Sequence, residues 1–363
     1  MSATRDDAAV LQAMAEAANA APSGGNVQLW RLRTTADALE LHQDRSYKVG
    51  LDVAWRGSAV ALGAAVWNAR VAAAAHGRAV TVERFPDPDR PLLAATVTLG
   101  GEHHDERAEL AQAIWDRTTN RNPGDPSVPV PDADVEAWRR AAEAEGGRAR
   151  IVRSPGVLAA CAEVLGASDR LRLRSPWLAR ELFSELRFPG RDRLDVGLDA
   201  RTLEVGRVDL AMMRLLRASG AARAVLRRPV SAMMGKRGRD TVRASSALVA
   251  VTMTGTRLVD ALRGGEAVQR VWVEADRAGW AVHPVTPVSI YVTDPRELRE
   301  LVPDRDVGAA LRVHERLRGL LDLDDDEHLA LVMRVSKAPP PTVRSGRRPL
   351  AEALAPSLAP SSD

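Results

Sequence analysis

An internal repeat narrows the folds open to this chain more than any other property of its sequence. Gly63–Val80 reads GAAVWNARVAAAAHGRAV, and Gly265–Val282 reads GEAVQRVWVEADRAGWAV. Aligned without gaps at an offset of 202, they agree at 8 of 18 positions, including two glycines fourteen residues apart in each copy. Each copy reads as a helix ended by glycine, which suits a left-handed C′ position, and followed by a strand. Alanine and valine raise chance matches between two alanine-rich helices. The paired glycines and the shared helix–glycine–strand order favour duplication. The expectation is a chain of two related halves folded as an intramolecular pseudo-dimer.

The 363 residues leave room for one large domain or two ordinary ones, at roughly 100–200 residues each. With 45% hydrophobic and 27% charged residues, the chain is not of the disordered class. Cys161 is the sole cysteine, so no intrachain disulfide forms, and no CxxC or Cys/His cluster points to a metal. The sequence shows no run of about 18 apolar residues of the kind a membrane span needs. The start, MSATRDDAAV, is polar and acidic, unlike a signal peptide. These features predict a cytoplasmic protein without metal or membrane partner.

The small net charge of +3 conceals a separation. From Arg170 to Arg243 there are 18 basic and 8 acidic residues, a net of +10, and the remainder carries −7. Such a segment could bind nucleic acid, attract an anionic cosubstrate, or cover a site with arginine-rich helices. Acids alternate with arginines there (Arg191-Asp192-Arg193), and stacking aromatics are few, which disfavours a nucleic-acid channel. A helical lid insertion over about 170–243 is the preferred reading, with a role in attracting an anionic dinucleotide.

Apolar periodicity predicts helices over 6–20, 58–75, 134–145 and 258–278, and a further helix leading into Arg117. Strand patterns occur at 30–33, 38–42, 93–99, 149–152, 247–254 and 329–335. Within the basic segment, helical pieces around 177–186 and 208–226 are separated by Pro189-Gly190 and Arg228-Pro229. The halves divide as 1–105 and 106–350, with 351–363 a Pro/Ser/Ala-rich disordered tail.

Four stretches could carry chemistry. Pro22-Ser23-Gly24-Gly25-Asn26 is a tight turn with free backbone amides, able to approach a planar ligand closely; on composition alone it reads as an ordinary loop. Arg117-Thr118-Thr119-Asn120-Arg121 puts two guanidinium forks and a hydroxyl on one side of an extended segment, which suits a phosphate dianion. Such spacing also arises by accident in a chain with 48 arginines. Gly279–Pro287 is a strand entering a rigid turn, with His283 either a ligand contact or a capped strand-end histidine. Pro341–Pro349 carries Arg344, Arg347 and Arg348. His103-His104, the pairs Met212-Met213 and Met233-Met234, Cys161 and the acidic run 324–328 read more simply as surface, packing or loop residues.

Pro22-Ser23-x-x-Asn26-x-Gln28-x-Trp30 resembles the Pro-Ser-x-x-Asn-x-Gln-Pro-Trp signature of the FMN-dependent nitroreductase superfamily. Arg117-x-Thr119-x-Arg121 is similar to the Arg-x-Ser-x-Arg/Lys segment that grips the FMN phosphate in that family. The strand ending in His283-Pro284 resembles its segment beside the isoalloxazine ring, and the C-terminal arginines match its further phosphate-binding cation. Leu29 stands for the usual proline and Thr119 for the usual serine. In ordinary members the phosphate motif precedes the Pro-Ser motif; here it follows by 95 residues. The resemblance therefore implies an atypical branch: an α+β nitroreductase-like fold with antiparallel or mixed central sheets flanked by helices, two fused and diverged halves, and one composite FMN site.

On that resemblance, Pro22, Ser23, Gly24, Asn26, Gln28, Arg117, Thr119, Arg121, His283, Pro284, Arg344 and Arg347 are the cofactor-binding candidates. The implied activity is hydride transfer from NAD(P)H through FMN to a small organic acceptor, with the flavin rather than a protein base at its centre. His283 is the one side chain with a claim to direct participation. The alternative is a flavin-storing protein with a lidded site and little turnover. Either would act on small molecules, as a monomeric pseudo-dimer or a homodimer.

Overall fold

The computed structural model describes residues 5–46 and 49–354. The first half runs α1 (Arg5–Asn19), β1 (Trp30–Thr34), β2 (Ala38–Gln43), α2 (Arg56–Ala75), β3 (Arg78–Arg84) and β4 (Leu93–Glu102). The second opens with α3 (Ala111–Asp116), α4 (Asp132–Glu143) and β5 (Arg148–Val152). An insertion follows: α5 (Pro155–Arg174), α6 (Pro176–Ser184), the short strands β6 (Leu186–Arg187) and β7 (Leu198–Asp199), α7 (Arg207–Ala218) and α8 (Gly220–Arg243). The half resumes with β8 (Ala247–Thr254), α9 (Leu258–Arg277) and β9 (Ala281–Val285). A second insertion with α10 (Leu298–Leu301) and α11 (Asp304–Leu320) precedes β10 (Glu327–Ser336), and α12 (Leu350–Ala353) ends the described chain.

Each half builds a four-stranded sheet, in the orders β1-β2-β4-β3 and β5-β8-β10-β9. Every pairing in both is antiparallel. Within each half the order is first, second, fourth, third, with the glycine-ended helix between second and third strands. The repeat is thus one visible piece of a topology that recurs whole. The layers are sheet, α1 with α2, α9 with α4, and sheet again. The fold is α+β and internally two-fold, as the repeat predicts.

Small residues let α2 and α9 meet at backbone distance. A Cβ on Gly63 would lie 1.9 Å from the Leu262 carbonyl oxygen, and one on Gly265 would lie 2.0 Å from that of Val60. Polar pairing completes the crossing: Gln269 Nε2 donates to Asn68 Oδ1 at 2.8 Å in the buried interface. Contrary to the sequence reading, the stretch Val53–Ala75 has the length and composition of a membrane span, but 83% of its apolar window is buried inside the protein. Neighbours on every side, not lipid, explain its lack of a polar face.

Three boundaries differ from expectation. The first insertion begins at Pro155 rather than near 170, because α5 packs along α8 through a close approach of Gly166 and Gly235. Pro229 does not end a helix but lies inside α8, on its exposed side, with Ser231 Oγ donating to the Arg228 carbonyl at 2.9 Å. In the segment 351–363, residues up to Ala353 belong to α12, where Ala353 is buried, and 355–363 lie outside the described residues.

Candidate functional site

A cavity of about 520 Å³ lies between the halves, within the usual size of a cofactor pocket. Pro22, Ser23, Gly24 and Asn26 line it from the first half. Arg117, Thr119, Arg121, His283 and Pro284 line it from the second, and Arg344 and Arg347 from the returning C-terminal segment. Eleven of the twelve sequence candidates therefore share one cavity; Gln28 does not line it.

The turn between α1 and β1 owes its shape to left-handed backbone at Gly25 (φ 57°) and Asn26 (φ 55°). Glycine at 25 answers a second demand, since a Cβ there would sit 2.5 Å from the Glu185 Cδ. Ser23 Oγ accepts from the Gln28 backbone N–H at 2.9 Å, closing the turn. Asn26 is fully engaged: its Nδ2 donates to the carbonyls of Gly197 and Gly346, both at 3.1 Å, and its Oδ1 accepts from Arg347 Nη1 at 3.1 Å. It thereby joins turn, insertion and C-terminal segment. Gln28, fully buried, does the same: Nε2 donates to Asp195 O at 2.7 Å and Oε1 accepts from Arg348 N at 2.8 Å. Its place in the sequence motif therefore reflects tethering, not contact with the cavity.

The arginines divide into two groups. At one end, burial and the nearby Arg347 and Arg344 charges pull the Arg117 guanidinium down to about 9. Arg347 is lowered to about 10 by burial and by Arg344. Arg117 lies over the Trp272 ring at 4.5 Å, and its buried Nε has no hydrogen-bond partner. Arg347 Nε donates to Ala21 O at 3.0 Å, while Arg344 caps the carbonyls of Trp115 and Asp116 at the end of α3. Arg121 belongs to the other group. Its Nη1 donates to Thr202 O at 3.1 Å and Thr202 Oγ1 at 3.2 Å, so it holds the insertion. Arg117 thus lies with the C-terminal arginines, and Arg121 with the insertion, so the two arginines of the segment do not act at one point of the cavity.

Beside Arg121, burial and the charges of Arg121 and Arg334 hold His283 well below the ordinary histidine range. Arg334 Nε donates to His283 Nδ1 at 2.9 Å. An imidazole that accepts at Nδ1 carries its proton on Nε2, so His283 is a neutral donor of defined tautomer. Arg334, 1% exposed on β10, escaped the sequence reading because an arginine inside an apolar strand has no local pattern to mark it.

The insertion supplies a wall through Arg172, Leu182, Glu185 and Leu198. Burial raises the Glu185 carboxyl to about 7 against the pull of Arg172. None of these residues, nor Gly25, was a sequence candidate. Trp272 alone carried a signal, as a change within the repeat, where Arg70 is its counterpart.

That counterpart shows how the pseudo-symmetric position differs. At the pseudo-symmetric position, Arg70 reaches Glu145 at 2.5 Å and Glu266 at 2.6 Å, and Arg84 reaches Glu266 at 2.7 Å. Glu266 stands where the first half has Ala64, which lines the cavity. Buried ion pairs thus fill the space that small and aromatic residues leave free on the other side.

No family model matches the chain. An uncharacterized protein of Mycobacterium tuberculosis is 38% identical over 338 residues, covering 92% of this chain. The chain spans about half the length (47%) of that curated relative. Among solved structures, it is similar to the FMN-dependent nitroreductase NfnB of Mycobacterium smegmatis in complex with NADPH, at 18% identity and a TM-score of 0.40, covering 68% of this chain and 96% of that one. It is also similar to a nitroreductase-like family protein of Bacillus cereus, at 11% identity and a TM-score of 0.38, covering 69% of this chain and 96% of the other.

Proposed function

We propose that this chain is an internally duplicated flavoprotein that binds one FMN between its halves and passes hydride from NAD(P)H to a small organic acceptor. One observation carries the reading: Arg117, Arg344 and Arg347 converge at one end of the cavity, and none of them makes an ion pair among the described residues. The buried Arg117, whose Nε has no hydrogen-bond partner among the described residues, with the neighbouring charges of Arg347 and the exposed Arg344, fits a phosphate dianion, which accepts several charge-assisted bonds at once. The other end offers positive potential from Arg121 and a neutral donor at His283 Nε2, suited to the polar edge of a flavin ring. Bound FMN supplies the hydride chemistry. The protein's residues hold the phosphate, orient the ring, and exclude water with the walls from the insertion. No protein base is required.

A second reading rests on the tethers. Asn26, Gln28 and Arg121 all bind the insertion, holding the roof over the cavity. A roof fastened at three points suits a protein that sequesters FMN with little turnover. Purified protein should show an FMN spectrum, and anaerobic NADPH should bleach it. An FMN spectrum that NADPH leaves unbleached selects storage; a colourless protein that cannot be loaded with FMN sinks both readings. Arg117→Ala and Arg347→Ala should each weaken FMN binding about 10- to 100-fold, the loss of one or two charge-assisted bonds.

A further inference from the structure

Four of the six large apolar side chains exposed among the described residues sit on two adjoining helices: Val208 and Leu215 on α7, Val225 and Met233 on α8. Val208 and Val225 are 81% and 78% exposed, so neither is a half-buried core residue. The inner faces of both helices enter one satellite core, through Met213 and Leu216 of α7 and Val230 of α8, against Phe183 and Phe188. Arg237 of α8 reaches Asp209 of α7 at 3.2 Å, so the two helices lie side by side. Their outer faces both turn away from that shared core. Every exposed residue on α7 and α8 is apolar, glycine or cationic, with no carboxylate, hydroxyl or amide side chain among them. Over 207–243 there are ten basic residues and two acids, a net of +8. Both acids are engaged, Asp209 with Arg237 and Asp240 with Lys236. Arg207, Arg214 and Arg228 are exposed and make no ion pair among the described residues.

A surface built to stay in water interleaves charges of both signs. A face of cations and short apolar side chains alone has few complements. A second copy of it would set arginine against arginine. A nucleic acid would use the cations but leave the apolar side chains without a partner, and 207–243 contains no aromatic residue to stack on a base. Protein interfaces draw their strength mainly from aromatic anchors, and this face has none. An anionic bilayer meets both halves of the pattern. Its phosphate headgroups pair with the arginines, and the boundary just beneath takes in valine, leucine and methionine at shallow depth, with no matching shape required. Arginine suits that boundary, because its apolar stem lies along it while the guanidinium stays among the headgroups. We propose that the outer face of α7 and α8 docks this protein onto an anionic lipid bilayer. The two helices lie in the headgroup plane, and the rest of the chain stays in water. Docking is independent of which ligand fills the cavity between the halves.

The test is co-sedimentation of the full chain with vesicles of phosphatidylcholine alone and of equimolar phosphatidylcholine and phosphatidylglycerol. The mixed vesicles should bind at least about 10-fold more tightly than the neutral ones. Arg207→Gln with Arg228→Gln should weaken that binding about 10- to 30-fold, and Leu215→Ser with Val225→Ser about 10-fold. These four side chains are exposed, so far-ultraviolet circular dichroism should match the wild type. Where a variant fails to fold, hydrogen exchange of the wild-type protein decides: mixed vesicles should protect 207–229, and unchanged exchange there overturns the proposal. No binding to either vesicle, or equal binding to both, overturns it. So does vesicle binding that survives both double substitutions, since another surface then carries it. A duplex DNA fragment bound more tightly than the mixed vesicles, with no loss in the Leu215→Ser, Val225→Ser protein, would assign the face to a phosphate backbone instead and overturn the bilayer.

Discussion

Gly63 and Gly265 are counterparts across the α2–α9 crossing, each pressed against a carbonyl three residues before the other. A Cβ would come within 1.9 Å of Leu262 O in one case and 2.0 Å of Val60 O in the other. The two contacts exchange under the offset of the repeat, which is what a two-fold interface between copies requires. Backbone atoms cannot yield as side-chain ends can. Gly63→Ala and Gly265→Ala should each cost about 3 kcal/mol or more. Gly77→Ala meets nothing within 4 Å and pays only for its positive φ, about 1–2 kcal/mol. Denaturant titration of the three variants checks the ranking, and equal losses would contradict the crossing.

Asn26 should act as a fastener more than as a ligand contact. Removing its amide in Asn26→Ala releases three hydrogen bonds, to Gly197, Gly346 and Arg347. At about 1 kcal/mol net each, the loss is about 2–3 kcal/mol. Hydrogen exchange should rise around 195–199 and 345–349 while the α2–α9 crossing stays protected. Unchanged exchange in those two segments would deny the tether.

Glu185 makes stability depend on pH. Its folded value of about 7 is raised above the ordinary 4.5 by burial. The folded state therefore prefers the protonated carboxyl, so its contribution is complete below 4.5 and is lost as pH rises through 7. Without bound ligand, wild-type protein should lose about 3 kcal/mol relative to Glu185→Gln between about pH 4.5 and 7.5. A stability difference flat across that range would refute it.

His283 should not titrate in the accessible range, being held low by burial, Arg121 and Arg334. Nitrogen NMR of the ring should report one neutral Nε2–H tautomer from about pH 5 to 8. Arg334→Met removes both the Nδ1 donor and a repelling charge, so the His283 value should rise and both tautomers appear. A variant spectrum identical to wild type would show that Arg334 does not set the tautomer.

The α2 and α9 repeat, the strands from 247–254 and 329–335, and the turn at 22–26 were legible because their signals are local: periodicity, a glycine stop, an unusual run of small polar residues. The roles of Asn26 and Gln28 were not. Their partners, Gly197, Asp195, Gly346 and Arg348, lie more than 160 residues away. The basic middle segment was read by its net charge as outer lid surface. Much of that charge is matched by neighbours, such as Arg217 with Asp192 and Arg237 with Asp209, while Arg172 turns inward.

The sequence by itself determined that the chain holds two related halves, each with a helix ended by glycine and followed by a strand, because backbone propensity and periodicity are carried by adjacent residues. It also marked the residues of the cavity, since a turn and an arginine pair are short motifs. Only the tertiary structure decided which arginines converge, that buried ion pairs occupy the position equivalent to Trp272, and that Glu185 and Arg172 face the cavity. Those outcomes depend on burial and on charge meeting charge across the fold, and desolvation is a property of the assembled interior, not of any stretch of chain.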